Sequence, residues 1–262
     1  MTPHQYQTFI DQLTATLNND PRVLGLIALG SMAQRDYQPD QYSDHDFFVI
    51  VTPGAQPALR QQLTWLPHAD QIALAFMETA HGLKVVYESG HLLEFAVFDP
   101  EELRLARVNR YRVLLDKADV MTTMAALSAA TAAHGQQETA DSRHHVGQFL
   151  TNLLVGVGRH RRGERLSGHK FVKFNAIHHL LILLAKHVPT SNGGILDNLD
   201  ATRRFEVAYP ELGAEIDDLL HQETAVAARG LLALAQRELA AIWPADFQWG
   251  TAVITRFLQH VE

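Results

Sequence analysis

The stretch "ALGSMAQRDYQPDQYSDHDFFVIV", Ala28 to Val51, places Asp44 and Asp46 one residue apart at the head of an apolar run, shortly after the step Gly30-Ser31. An ionised Asp drawn toward a packed sheet loses its water unless something cationic replaces it. On an extended chain residues i and i+2 project to the same face, so Asp44 and Asp46 point together and His45 points away. Two carboxylates on one side of a strand make half of a metal site. Mg²⁺ prefers hard oxygen ligands and takes only one or two protein carboxylates, leaving its other positions to water and phosphate oxygens.

Working outward, "RVLGLIALG" (Arg22 to Gly30) and "DFFVIVT" (Asp46 to Thr52) are short, apolar and β-branched or aromatic, and both predict buried strands with a short helix after each. Before them, "TPHQYQTFIDQLTATLNN" opens with Thr2 as N-cap, Pro3 at the first helical position and Gln5 at N3. It then repeats Tyr6, Phe9, Ile10, Leu13 and Leu17 at helical spacing. After them, "IALAFM", "LKVVYE" and "HLLEFAVF" follow in quick succession as a strand meander, Asp99-Pro100-Glu101-Glu102 marks a helix start, and "YRVLLD" reads as one further strand. The pattern is that of a mixed sheet ending near Asp116.

From Asp119 the texture changes to Ala/Leu-rich helical periodicity, broken at the polar stretch "HGQQETADS", His134 to Ser142. The expected fold class is α+β: a mixed-sheet domain with flanking helices over residues 1–135, then an all-α helical bundle over residues 141–262.

Composition narrows the function. The chain has 262 residues, 47% of them hydrophobic, and 22 Lys+Arg against 29 Asp+Glu for a formal net charge of -7. This argues against a duplex nucleic acid partner and leaves room for a nucleotide, which needs only a local basic patch. The start "MTPHQYQTFIDQL" has neither a basic nor an apolar leader segment, and the longest apolar run, "LLILLA", is too short for a bilayer, so a cytoplasmic location without membrane contact is expected. Cysteine is absent, and any metal must be held by oxygen or imidazole. Among the 15 histidines, His144-His145 and His178-His179 are adjacent pairs whose members point to different helix faces, and they read as surface or interface residues.

Gly30-Ser31, at a strand-to-helix turn, offers backbone N–H groups and a hydroxyl where phosphate oxygens are favoured. A phosphate cradle beside a two-Asp metal site describes nucleotidyl transfer. A third acid is expected nearby, and Glu94, alone among Leu92, Leu93, Phe95, Ala96, Val97 and Phe98, is the candidate general base. Glu88 and Asp99 flank that strand as alternatives, and an ion pair with a neighbouring Arg or Lys is the structural alternative for Glu94. Arg35 is a candidate phosphate contact or a solvated helix residue. The run "RHRRGER" (Arg159 to Arg165) is the dense basic cluster of the chain, and Lys170 and Lys173 follow it on one helix face. A solvated face or a cationic wall for a triphosphate would each explain them.

The order G-S, D-x-D and a third strand acid, with a helical region behind, resembles the DNA polymerase β-like nucleotidyltransferase superfamily. "DQYSDHDF" and "GVGRHRRGERLSGHKF" are similar to the corresponding parts of the lincosamide and aminoglycoside nucleotidyltransferases of the antibiotic resistance type. The resemblance implies an enzyme that moves AMP from ATP, or another NMP, onto a hydroxyl of a small-molecule acceptor. In it, Mg²⁺ is held by the residues matching Asp44 and Asp46, and Glu94 takes the acceptor proton. Gly30, Ser31, Arg35, Lys170 and Lys173 are the expected nucleotide contacts, in a cleft between the two domains, with a homodimer left open.

Overall fold

The computed structural model describes residues 1–34 and 39–259, and the chain divides into two compact units, Met1–Ala133 and His134–Glu262. In the first, helix α1 (Pro3–Asn19) begins with the expected capping box: Thr2 Oγ1 accepts from the Gln5 N–H and the Gln5 side chain accepts from the Thr2 N–H. Tyr6, Phe9, Ile10, Leu13 and Leu17 form its buried stripe. The expected strands appear as β1 (Val23–Leu29), β2 (His45–Val51), β3 (Ile72–Met77), β4 (Gly82–Tyr87), β5 (Leu92–Phe98) and β6 (Tyr111–Asp116). Helix α2 (Gln56–Gln61) follows β2, whereas among the described residues β1 is followed by a single 3₁₀ turn, Gly30–Ala33. The helix start at Asp99 is also reduced to a 3₁₀ turn, Glu102–Leu105, although its capping bonds form: Asp99 Oδ1 accepts from the Glu101 and Glu102 N–H groups, and Glu102 Oε2 accepts from the Asp99 N–H.

The strands form one mixed sheet in the order β3-β4-β5-β2-β1-β6. The pairs are antiparallel except β2 with β5, which run parallel. Alternation along β2 splits its side chains between two cores. Phe47, Val49 and Val51 pack with the stripe of α1, while Phe48 and Ile50 face Val120 and Met124 of α3 (Val120–Glu138). The polar stretch from His134 does not break this helix, which continues to Glu138; Asp141 then caps the next helix, its carboxylate accepting from the His144 N–H.

The second unit is helical, as expected: α4 (Ser142–Arg161), α5 (Arg165–Lys170), α6 (Ile177–His187), α7 (Phe205–Ala208), α8 (Pro210–Leu220), α9 (Thr224–Glu238) and α10 (Gln248–Gln259). One apolar core runs through it, with Phe149, Leu153, Leu180, Leu184, Leu231 and Ile254 among its members. A π-helical segment, Phe171–Ala176, joins α5 to α6. Two glycines of "GVGRHRRGERLSGHKF" serve close packing here: a Cβ on Gly156 would lie 2.6 Å from Val172 Cγ2 and one on Gly168 would lie 2.9 Å from the Gly156 carbonyl. No helix among the described residues is long and apolar enough to cross a membrane.

Candidate active site

Strand β1 ends against the turn at Gly30, whose φ of 47° is left-handed and suits glycine. There is a second reason for glycine here: a Cβ at this position would lie 2.5 Å from Asp46 Oδ2. The Asp46 carboxylate therefore rests against bare backbone at the end of β1. Ser31, next along, is buried and its hydroxyl turns inward. Tyr6 Oη donates to the Asp44 carbonyl at 2.7 Å, and Ser31 Oγ lies 2.9 Å from Tyr6 Oη and 3.2 Å from that same carbonyl. Two hydroxyls thus pin the backbone at the entry to β2.

His45, between the two acids, points to the opposite face and is fully buried, its ring stacked on Tyr6 at 3.7 Å and 15°. A carbonyl can only accept, so His45 Nε2 carries the proton it donates to the Tyr6 carbonyl at 3.2 Å; its bare Nδ1 accepts from His91 Nε2 at 2.7 Å. Burial holds both rings neutral, lowering the His45 pKa to about 3 and that of His91 to about 4. Tyr6, His45 and His91 were not foreseen as a unit, because they come from three separate segments; the alternation that sent His45 away from the acids was the one available sign.

On the acid-bearing face, Asp46 of β2 stands opposite Glu94 of β5 in the parallel ladder, and Glu94 stands opposite Lys84 of β4. Neighbouring strands lie about 4.8 Å apart, so the three side chains form a row on one side of the sheet. Lys84 Nζ is 2.9 Å from Glu94 Oε1 and 2.9 Å from Glu78 Oε1, and the two carboxylates raise the lysine pKa, Glu78 most. Lys84 is the site residue that sequence reasoning passed over, and it is the cation that reading anticipated, without identifying, as a structural partner of Glu94.

Asp44 sits one position before β2, half-buried, and lines a cavity of about 750 Å³ with His4, Gln41, Tyr42, His68 and His91. Of the alternatives to Glu94, Glu88 is exposed at a turn, and Asp99 is engaged by the Glu101 and Glu102 N–H groups and by Gln56 Nε2 at 2.6 Å. Arg35 lies outside the described residues. Lys170 is exposed on α5, while Lys173 donates to the carbonyls of Leu220 at 2.8 Å and Gln222 at 2.6 Å, closing the C-terminal end of α8. The basic run is likewise engaged within its own unit: Arg159 with Ser167 and the Phe171 ring, Arg161 with the Phe257 carbonyl and ring, Arg162 with Glu164.

Whether the acids suit a divalent ion follows from their chemistry. Asp44 and Asp46 supply hard oxygens, both are half-buried, and Asp46 adjoins a second carboxylate in register, a like-charge arrangement that a cation relieves. Among the described residues no three His, Asp or Glu side chains are gathered to enclose an ion. A carboxylate pair that leaves other positions to water and phosphate fits Mg²⁺.

No protein-family model and no curated protein matches the chain. Solved structures similar to it include an aminoglycoside 6-adenyltransferase from Bacillus subtilis, at 15% identity and a TM-score of 0.36 over 97% of this chain and 98% of that one. A STING-associated c-di-GMP synthase, CdnE, from Capnocytophaga granulosa is 11% identical, with a TM-score of 0.32 over 98% and 79% of the two chains. The CD-NTase CdnG of Bradyrhizobium diazoefficiens, in complex with GTP, is 15% identical, with a TM-score of 0.31 over 99% and 94%. With every TM-score below 0.5, it is the geometry of β2 and β5 that supports a function.

Proposed function

We propose that the protein is a nucleotidyltransferase that moves a nucleoside monophosphate, most readily AMP from ATP, to a hydroxyl of a small-molecule acceptor. The observation that carries this reading is the row on the sheet: Asp46 against the Gly30 backbone and in register with Glu94, with Asp44 at the strand entry. Asp44 and Asp46 hold Mg²⁺. When bound, the ion neutralises charge on the triphosphate and on the departing pyrophosphate. Glu94 accepts the proton of the attacking hydroxyl, and the 2.9 Å contact with Lys84 orients that carboxylate. The hydroxyls of Tyr6 and Ser31 and the His45–His91 pair keep the two Asp residues in place.

The cavity beside Asp44, within the usual range of ligand pockets, offers a ligand polar contacts from Gln41, Tyr42, His68 and His91; of Asp44, Asp46 and Glu94, Asp44 alone lines it. Lincosamides and aminoglycosides, which carry many hydroxyls, are the first acceptors to try. Lys170, and Lys173 if its carbonyl contacts release it, are proposed phosphate contacts on charge alone, and Arg35 is proposed with them. The protein acts from the cytoplasm, as a monomer or a homodimer.

Incubation with Mg²⁺ and each NTP in turn, with a panel of these acceptors, followed by mass analysis of the products, tests the reading. An acceptor heavier by one NMP, with pyrophosphate released, is expected. NTP binding without any product, across small-molecule and macromolecular acceptors alike, would point instead to a nucleotide-binding regulatory protein.

A further inference from the structure

The helical unit brings together four histidines that its sequence separates. His144 and His145 come from α4, His178 and His179 from α6. The ring centroids of His145 and His179 are 5.2 Å apart, with His144 at 5.5 Å from His145 and His178 at 5.3 Å from His179. Of the surface or interface roles expected for these pairs, His145 takes the interface one, 5% exposed and against His179 of the neighbouring helix. His145 Nε2 donates to the Glu138 carbonyl at 3.0 Å, so its Nδ1 carries a bare lone pair, and His179 Nδ1 lies 2.9 Å from that nitrogen.

We propose that His145 and His179 form the core of a binding site for a late first-row divalent cation, Zn²⁺, Ni²⁺ or Cu²⁺, with His144 or His178 turning in to complete it. Two nitrogens bound to one such ion at about 2.0–2.1 Å stand roughly 2.9–3.4 Å apart, depending on the bond angle. The present separation is already within that span. A ligating histidine regularly donates its other N–H to a backbone carbonyl, which fixes the ring and its tautomer; the bond from His145 to Glu138 does this. To ligate, His179 must carry its proton on Nε2 in place of Nδ1, and the two rings must tilt so that their Nδ1 lone pairs meet off the N–N line; no net proton is released. Burial keeps both rings neutral and able to ligate, with the His179 pKa lowered to about 4. His144 and His178 are exposed and free to change rotamer, which is why no third ligand is gathered as the side chains now stand. An all-imidazole set selects these ions over Mg²⁺ or Ca²⁺. The nearby Lys186 ammonium is held by the Thr139 and Ala140 carbonyls. The bound ion would fasten α4 to α6, a role apart from nucleotide chemistry.

The test uses the full chain without an affinity tag. Calorimetric titration with Ni²⁺ and with Zn²⁺ should show one saturable site of Kd about 10 μM or tighter, and Cu²⁺ should give nitrogen hyperfine structure from at least two imidazoles in its electron paramagnetic resonance spectrum. His179→Gln should weaken binding by at least about tenfold, the loss caused even by removing an outer partner of a ligand. His145→Gln should do the same, and His179→Gln, on the less buried ring, carries the test if the buried variant does not fold. His134→Gln, on α3, should bind as the parent. No saturable binding below about 100 μM, or equal affinity in parent and His179→Gln, would overturn the proposal.

Discussion

His45 and Asp46 are neighbours on β2, yet they live under opposite rules. His45 is fully buried and kept neutral, every ring nitrogen engaged, whereas Asp46 is half-buried and sits beside a second acid. A strand whose side chains alternate between two cores can hold a rigid, uncharged network on one face and a charged, solvent-reachable row on the other. The first face fixes the backbone; the second face is left for chemistry.

The largest effect expected from breaking this contrast is at Asp46. Asp46→Asn keeps the shape and removes the charge, so nucleotide transfer should fall by about 10³-fold or more, the several kcal/mol that metal-assisted charge neutralisation supplies. Melting temperature should hold or rise as the repulsion from Glu94 is relieved. Transfer at near the parent rate with any active acceptor would end the metal reading.

His45→Ala should do the reverse. It leaves a cavity under Tyr6 and strands the His91 donor, and a loss of about 3 kcal/mol in unfolding free energy is expected from denaturant titration. Mg²⁺ affinity should weaken only as far as the Asp44 backbone loosens. A variant as stable as the parent would mean that the buried network holds nothing in place.

Glu94→Gln should lower kcat by about 10²-fold with little change in KM for NTP, because a proton acceptor acts in the transition state. If Glu94 is merely the partner of Lys84, then Lys84→Met should cost as much activity as Glu94→Gln. Comparing the two kinetic profiles separates a base from a brace.

The smallest effects fall on charged groups engaged by backbone. Lys173→Ala frees the Leu220 and Gln222 carbonyls and should lower stability by about 1 kcal/mol; a tenfold rise in KM for NTP without that loss would show that the lysine serves phosphate. Asp116 at the head of α3 accepts from the Ala118, Val120 and Met121 N–H groups, foremost that of Val120, which lowers its pKa below the ordinary 3.8. Its contribution is fully present above pH 3.8 and is lost as pH falls through its lower folded value. Asp116→Asn keeps an acceptor and loses only the charge, so it should cost about 0.5 kcal/mol at neutral pH, with the gap to the parent closing in acid, as followed by thermal melts at stepped pH.

Much of the fold could be read from local pattern. The Thr2-Gln5 capping box, the stripe of α1 and the strand alternation of β2 and β5 are each written within a few residues, and each appears in the structure. What escaped depends on contacts far apart in sequence. Nothing near Ser31 says that its hydroxyl will meet Tyr6 and the Asp44 carbonyl; nothing near Lys173 says that two carbonyls of a later helix will take its protons. The His145–His179 contact was missed for the same reason, since helical wheel arguments place a residue on a face without saying what packs there. Glu94 was singled out as an odd charge in an apolar strand, but its register with Asp46 could not be read before the strand order was known.

The parallel pairing of β2 with β5 also bears on how the protein comes into being. The meander β3-β4-β5 closes through short turns, while Asp46 meets Glu94 only after the intervening chain, with α2 and both other strands, has been brought back. Loop-closure entropy makes such a pairing a late event, after the local hairpins have formed. The acids are thus kept apart while the chain is still collapsing. Their repulsion enters once the hydrophobic contacts of Phe47 with Phe95 are there to oppose it.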